Sequence, residues 1–169
     1  MIRAVVFDFG HTIMDEMQYR DIPLRSRPVR LMHGVGEMLP RVGVSKGIWA
    51  NTKRATESGV RHWLRRGNIN QYFTWVVTSV DAGYRKPDRR FFDFALRRCG
   101  LEGQELLFVG NQLNTDIRGA QEYGIPNVWL SGPEYRSPDD TMAPGQIEPA
   151  FVISHLNDLP ALLQRLNAR

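Results

Sequence analysis

Asp8, Lys86 and Asp116 are the residues of this sequence whose types and placement suit them to chemistry. Asp8 closes the apolar run Ala4-Val5-Val6-Phe7 and opens a glycine-containing turn, Phe9-Gly10-His11-Thr12. A carboxylate buried inside such a strand costs several kcal/mol unless a cation or hydrogen-bond donors compensate it. It therefore belongs at the strand's carboxyl end, where an open α/β sheet places its ligand crevice; the other reading is an aspartate that caps a turn through its own backbone. Lys86 stands in a polar loop before a helix, and two further strand ends carry Ala50-Asn51-Thr52 and Gly110-Asn111, with Asp116 shortly after. A nucleophilic carboxylate, a lysine and oxygen ligands for a hard cation are the parts that aspartyl-phosphate chemistry requires.

The elements that must position these residues follow from hydrophobic period and punctuation. Continuous apolar runs at 4–7, 47–50, 75–78, 106–109, 127–130 and 151–153 read as six strands, most of them buried on both faces. Helical spacing is present at 34–42, at 53–66 (Val60, Trp63, Leu64), around Phe91, Phe92, Ala95, Leu96 and Cys99, through Ile117, Ala120 and Tyr123, and at 156–166. Gly100 and Gly124 supply stops. Residues 13–32 read as a loop with at most one helical turn, 81–87 as a loop, and 132–149, with four prolines, as a surface loop. Strands alternating with helices predict right-handed crossovers and a three-layer, Rossmann-like, doubly wound parallel α/β sheet, covered on both faces. No internal repeat is present.

Composition narrows the function. A chain of 169 residues fits a single domain spanning 1–169, with 42% apolar and 24% charged residues as in ordinary soluble proteins. No apolar run approaches the roughly 20 residues that span a bilayer, and a chain that enters a core strand at once is expected to lack a secretory leader. The single cysteine, Cys99, has no internal disulfide partner and reads as a core residue, so a reducing, cytoplasmic setting is expected. The net charge of +4 comes with only three lysines, and the arginine pairs 65/66, 89/90 and 97/98 read as solvated helix faces. No zinc-finger, helix-turn-helix or RNA-binding signature accompanies them, so nucleic acid is not indicated as a partner.

Along almost its whole length the chain resembles the haloacid dehalogenase (HAD) superfamily of hydrolases. The resemblance rests on VVFDFGHTIMDE, LMHGVGEMLPRV, GIWANT, YFTWVVTSVDAGYRKPDRRFFDFALRRCG, LLFVGNQLNTDIRGAQEYGIPNVWL and FVISHLNDLPALLQRL, in family order and spacing. It implies that Asp8 attacks phosphorus and ligates magnesium, that Lys86 pairs with nucleophile and phosphate, that the Gly10 carbonyl, Asn111 and Asp116 complete a metal site, and that Asn51 and Thr52 join Lys86 around the phosphate. The chain departs from the family at three positions. The aspartate two residues after the nucleophile, the family's general acid and base, is Gly10; the Ser or Thr of the second motif is Ala50, with Thr52 two residues out of register; the first acid of the fourth motif is Asn111. Losing the acid removes about 10²- to 10⁴-fold in rate, least for good leaving groups, Ala50 deletes a phosphate hydrogen bond worth about 1.5–3 kcal/mol, and an amide at 111 weakens magnesium binding. His11 reads as a polar turn residue without a catalytic role.

The family's lid domain is missing from both places where it is inserted: about 20 residues separate Thr12 from the helix at Gly34, and one helix and one strand fill 51–86. An open crevice does not exclude water unaided. That favours a large, macromolecular phosphorylated substrate that closes its own site, or a homo-oligomer whose second subunit lends a lid. The resemblance thus implies a slow, magnesium-dependent phosphatase working through an aspartyl-phosphate on Asp8, with weakly bound Mg2+. The alternative is an inactive relative that binds a phosphorylated ligand or a protein partner; dehalogenation or C–P cleavage, usually done by lidded branches with residues absent here, is a third.

Overall fold

The computed structural model of the protein describes residues 1–16 and 18–168. Six parallel strands, β1 (Ala4–Phe7), β2 (Ser45–Ala50), β3 (Trp75–Thr78), β4 (Leu106–Gly110), β5 (Asn127–Leu130) and β6 (Phe151–Ile153), form one sheet in the order β3-β2-β1-β4-β5-β6. The helices are α1 (Val35–Met38), α2 (Glu57–Arg66), α3 (Ser79–Ala82), α4 (Arg89–Cys99), α5 (Arg118–Glu122) and α6 (Leu159–Asn167). The chain winds outward through β2 and β3, then crosses back over β1 to β4, so the winding reverses between β1 and β4. In open α/β sheets that reversal opens a crevice beyond the strands' carboxyl ends.

The side-chain period of two sorts the strands into two cores. Val5, Phe7, Ile48 and Val109 face the layer built from α1, α2 and α6. Ala4, Val6, Trp49 and Phe108 face α4 and α5. Every β1 side chain is fully buried, as a central parallel strand requires. Ala4 lies opposite both Ser45 and Leu106, and Phe7 opposite both Ile48 and Val109, which brings the three strand ends level. α4 starts where the Asp88 carboxylate accepts the Arg90 amide (2.9 Å) and stops at Gly100, whose φ of +66° suits a residue without Cβ.

The six strands and the α/β class are as the apolar runs predict; several boundaries shift. β2 begins two residues early because Lys46 buries its stem and donates to the carbonyls of Val42 and Val44 at 2.5 and 3.1 Å. α2 begins at Glu57, since the Thr52 hydroxyl donates to the Ala55 carbonyl (2.6 Å) and folds 52–55 into a turn. The start of the expected 81–87 loop is helical, α3 being capped by the Thr78 hydroxyl, which accepts the Asp81 amide at 3.2 Å.

Residues 13–32, apart from Met17, which lies outside the described residues, form turns around a buried arginine. Arg27 donates to the Ile22 carbonyl (3.0 Å) and to Glu16 (3.1 Å). The 132–149 loop is more than surface: Tyr135 is fully buried and donates its hydroxyl to the His33 carbonyl at 2.8 Å. No helix among the described residues is long and apolar enough to cross a membrane.

Candidate active site

Asp8 leaves the end of β1, its amide donating to the Val109 carbonyl of β4 (2.9 Å), so the side chain emerges at the reversal point. After β4 the chain makes a π-helical turn, Leu113–Ile117, that carries Asp116 back over Gly110. A Cβ at residue 110 would lie only 2.5 Å from the Asp116 carboxylate, so glycine there is what lets the side chain pass. From the opposite side, the loop before α4 delivers Lys86. Its ammonium donates to Asp8 Oδ1 (2.7 Å), Asp116 Oδ1 (2.8 Å) and the Trp49 carbonyl (2.7 Å), and lies 5.1 Å from the centre of the Phe108 ring.

One ammonium thus serves two carboxylates, all three groups nearly inaccessible to solvent. Burial opposes the charge on Lys86, but Asp116 and Asp8 outweigh it and hold the ammonium above lysine's ordinary pKa. Asp116 moves the other way: burial first, then the charge of Asp8, push its carboxyl up to about 6 against the pull of Lys86. The cluster is short of positive charge.

A polar cavity of about 270 Å³ opens over Asp8 and Lys86, with Arg85, Glu16 and Asp139 on its walls. A wider cleft of about 790 Å³ adjoins it and shares Gly10, Glu16, Asn51, Arg85 and Asp139; Arg25, Lys53 and Arg54 lie on its rim, and Phe9, Met14 and Leu24 are among its apolar residues.

Residues 83–159 match a family model described as HAD-hydrolase-like. A glyceraldehyde 3-phosphate phosphatase of Methanocaldococcus jannaschii is 34% identical over 83 residues, covering 48% of this chain and 36% of that protein. Over this segment the chain is similar to the haloacid dehalogenase superfamily. Among solved structures, an uncharacterized protein from Listeria monocytogenes serotype 4b superposes with a TM-score of 0.83 at 29% identity, over 99% of this chain and 100% of that one. The putative HAD-hydrolase YfnB from Bacillus subtilis, described as bound to magnesium, superposes with 0.76 at 17% identity, over 96% and 98%. The chain spans between a third and a half of the length of the first curated relatives it matches.

Set against the HAD pattern, the structure brings Asp8, Lys86 and Asp116 together and gives other tasks to several neighbours. Asn51 does not point an open amide into the cavity. Its Nδ2 donates to the Lys86 carbonyl (2.9 Å) and its Oδ1 accepts the Lys86 amide (2.8 Å), which fixes the main chain beneath the lysine. Thr52 spends its hydroxyl on Ala55, while its carbonyl accepts from Arg85 at 2.9 Å and orients that guanidinium. Asn111 is buried, with Oδ1 accepting the Thr12 hydroxyl (3.2 Å) and Nδ2 donating to the Tyr135 carbonyl (2.7 Å). His11 sits in the turn at φ 56° with its ring buried, and lines neither cavity.

The donors present fit a hard divalent cation. Asp8 and Asp116 offer carboxylate oxygens with one compensating charge between them, and the main chain at Gly10 borders the cavity that Asp8 lines. No group of three His, Cys, Asp or Glu side chains among the described residues forms a cage, so an ion there would keep waters or substrate oxygens in its shell. Sequence reading missed Arg85, Glu16, Asp139 and Asp140. The Asp140 carboxylate accepts the amides of Leu113 (2.7 Å) and Asn114 (3.2 Å) and so anchors the turn that holds Asp116.

Proposed function

We propose that this chain is a phosphate monoester hydrolase that works through an aspartyl-phosphate on Asp8. The observation that carries the reading is the Asp8 carboxylate, which borders a polar cavity and is gripped through Oδ1 by a buried lysine that also holds Asp116. With Oδ1 committed to Lys86, Oδ2 is the attacking oxygen. It forms a bond to phosphorus as the ester P–O bond breaks and the alcohol departs. Water then attacks the same phosphorus, inorganic phosphate leaves, and the Asp8 carboxylate is restored. Lys86 and Arg85 stabilise the charge on the phosphoryl oxygens. Asn51 and Thr52 hold the main chain and guanidinium that place those cations.

Asp8, Asp116 and the Gly10 carbonyl would hold a magnesium ion, which would supply further charge compensation to the phosphoryl group, a use supported by the charge deficit of the cluster and by the YfnB structure described as bound to magnesium. The adjoining cleft receives the alcohol portion of the ester. Its mixed rim, apolar around Leu24 and cationic at Lys53 and Arg54, suits a phosphorylated small molecule of the kind the named phosphatase relatives act on, and it leaves room for a larger phosphorylated chain.

The test is phosphate release from 4-nitrophenyl phosphate with magnesium and with chelator, using Asp8→Asn as control. Magnesium-dependent release abolished by Asp8→Asn upholds the reading; release that survives Asp8→Asn sinks it. A second reading, binding without turnover, is favoured by one observation: both ends of the Asn111 amide are bonded within the protein. Phosphate binding without Asp8-dependent release identifies it.

A further inference from the structure

We infer that Glu16 is the general acid and base of this site, reaching from the loop after β1 into the space that Gly10 leaves open. The inference rests on the hydrolase reading above and assigns the proton transfers that it leaves without a carrier.

The geometry is specific. A Cβ placed on residue 10 would lie 2.7 Å from Glu16 Oε1 and 3.0 Å from its Cδ. The carboxyl group therefore stands where a side chain two residues beyond the nucleophile would begin, though it arrives from six residues downstream. It borders the same cavity as Asp8 and Lys86, and a fifth of its side chain is open to solvent.

Glu16 is held from behind. Arg27, itself buried, donates to Oε2 at 3.1 Å. Arg20 and His11 face Oε1 at 3.6 and 3.7 Å, both beyond hydrogen-bonding distance. Oε1 is thus the oxygen turned toward residue 10 and the cavity. The other ionisable groups on that wall have tasks: Asp8 is the nucleophile, Lys86 bridges the two carboxylates, Arg85 does not give up its proton, and Asp139 is paired with Arg20.

In the first half-reaction Asp8 bonds to phosphorus, the ester P–O bond breaks, and the departing alkoxide takes a proton through the Glu16 carboxyl group. In the second, the Glu16 carboxylate takes a proton from the water whose oxygen attacks phosphorus, the Asp8–phosphorus bond breaks, and Glu16 is returned to its starting state. No further acid, base or redox partner enters the balance.

The experiment compares 4-nitrophenyl phosphate, whose leaving group departs without a proton, with phenyl phosphate, which needs one. Wild type, Glu16→Gln, Glu16→Ala, Gly10→Asp/Glu16→Ala and Asp8→Asn are assayed with magnesium. Glu16→Gln is expected to lower kcat/KM for phenyl phosphate at least tenfold more than for the nitrophenyl ester. Gly10→Asp, in the room vacated by Glu16→Ala, is expected to return a tenfold or greater part of the phenyl phosphate activity that Glu16→Ala loses. A glutamate that merely holds Arg27 would lower both esters equally and would not be replaced from residue 10. Equal losses, or no loss, with activity still dependent on Asp8, overturn the assignment of Glu16 alone. Activity indifferent to Asp8→Asn overturns the hydrolase reading and this inference with it.

Discussion

Asn51 and Lys86 are joined by a reciprocal pair of hydrogen bonds, the side-chain amide of one closing on the main-chain amide and carbonyl of the other at 2.8 and 2.9 Å. The pair joins the end of β2 to the loop before α4 across 35 positions of sequence. It fixes the main chain from which the Lys86 side chain extends to Asp8. Asn51→Asp keeps the acceptor but sets a carboxylate oxygen against the Lys86 carbonyl. We expect a loss of about 1–3 kcal/mol in stability and a larger proportional fall in phosphate release than in phosphate binding. Urea denaturation and steady-state kinetics on the same preparation check this, and unchanged turnover in a destabilised variant would show the pair to be structural only.

How much of this was legible beforehand depends on how local each signal is. β5 lies where its apolar run predicts, and Asp8 falls at a strand end because a lone carboxylate in an apolar run has nowhere else to go. The convergence of Asp8, Lys86 and Asp116 follows from parallel strands placing their carboxyl ends on one edge. Glu16 and Asp140 were not legible. Both act from stretches without periodicity, and the position of Glu16 is set by its pairing with Arg27, while Asp140 reaches back 27 residues to the Leu113 amide. Asn111 stands at a strand end, and its partners were equally hidden: Thr12 and Tyr135 take the two ends of its amide. Side-chain partners of that kind are fixed by packing, which a one-dimensional pattern does not carry.

Removing the shared cation is a sharper test of the cluster. Lys86→Met leaves Asp8 and Asp116 facing each other in a buried site, a change expected to cost about 3–5 kcal/mol near neutral pH. Asp116 is held up to about 6 even with the lysine present, so removing Lys86 shifts the Asp116 carboxyl further upward. A carboxyl with a raised pKa in the folded state takes up protons on folding, so stability falls as pH rises through the window above the ordinary carboxylate range. The deficit relative to wild type should therefore be smaller at pH 5 than at pH 8. Urea midpoints at the two values decide it; an equal deficit would mean that the loss is packing against Phe108 rather than charge.

Asn111→Asp separates folding from metal binding. The new carboxylate loses the donor to the Tyr135 carbonyl and places an anion 2.7 Å from that oxygen. In chelator the variant should be less stable than wild type by about 1–3 kcal/mol. Added magnesium should recover more stability in the variant than it adds to wild type, because ligands that bind only the folded state stabilise it by mass action and a third carboxylate strengthens a hard-cation site. Thermal denaturation with and without magnesium, alongside calorimetry, checks both halves. A variant that magnesium leaves unmoved would place residue 111 outside the metal shell.

His11 supplies a prediction about acid. Its ring is buried, neither nitrogen has a hydrogen-bond partner among the described residues, and burial holds its pKa below 6.5 against the opposing charge of Glu16. The folded protein thus keeps the imidazole neutral at pH values where the unfolded chain has protonated it. The unfolded state binds more protons, so stability rises with pH up to about 6.5, levels above it, and is lost as pH falls below that value. Each unit by which the folded pKa lies below 6.5 adds about 1.4 kcal/mol to that loss. Asparagine is the substitution to use, because residue 11 sits at φ 56° and asparagine enters the left-handed region more readily than most residues. His11→Asn should flatten the difference in stability between pH 5 and pH 7.5 relative to wild type, with little change above pH 7. Guanidinium titrations at four pH values give the comparison, and parallel curves for the two proteins would show that His11 does not govern the acid sensitivity of the fold.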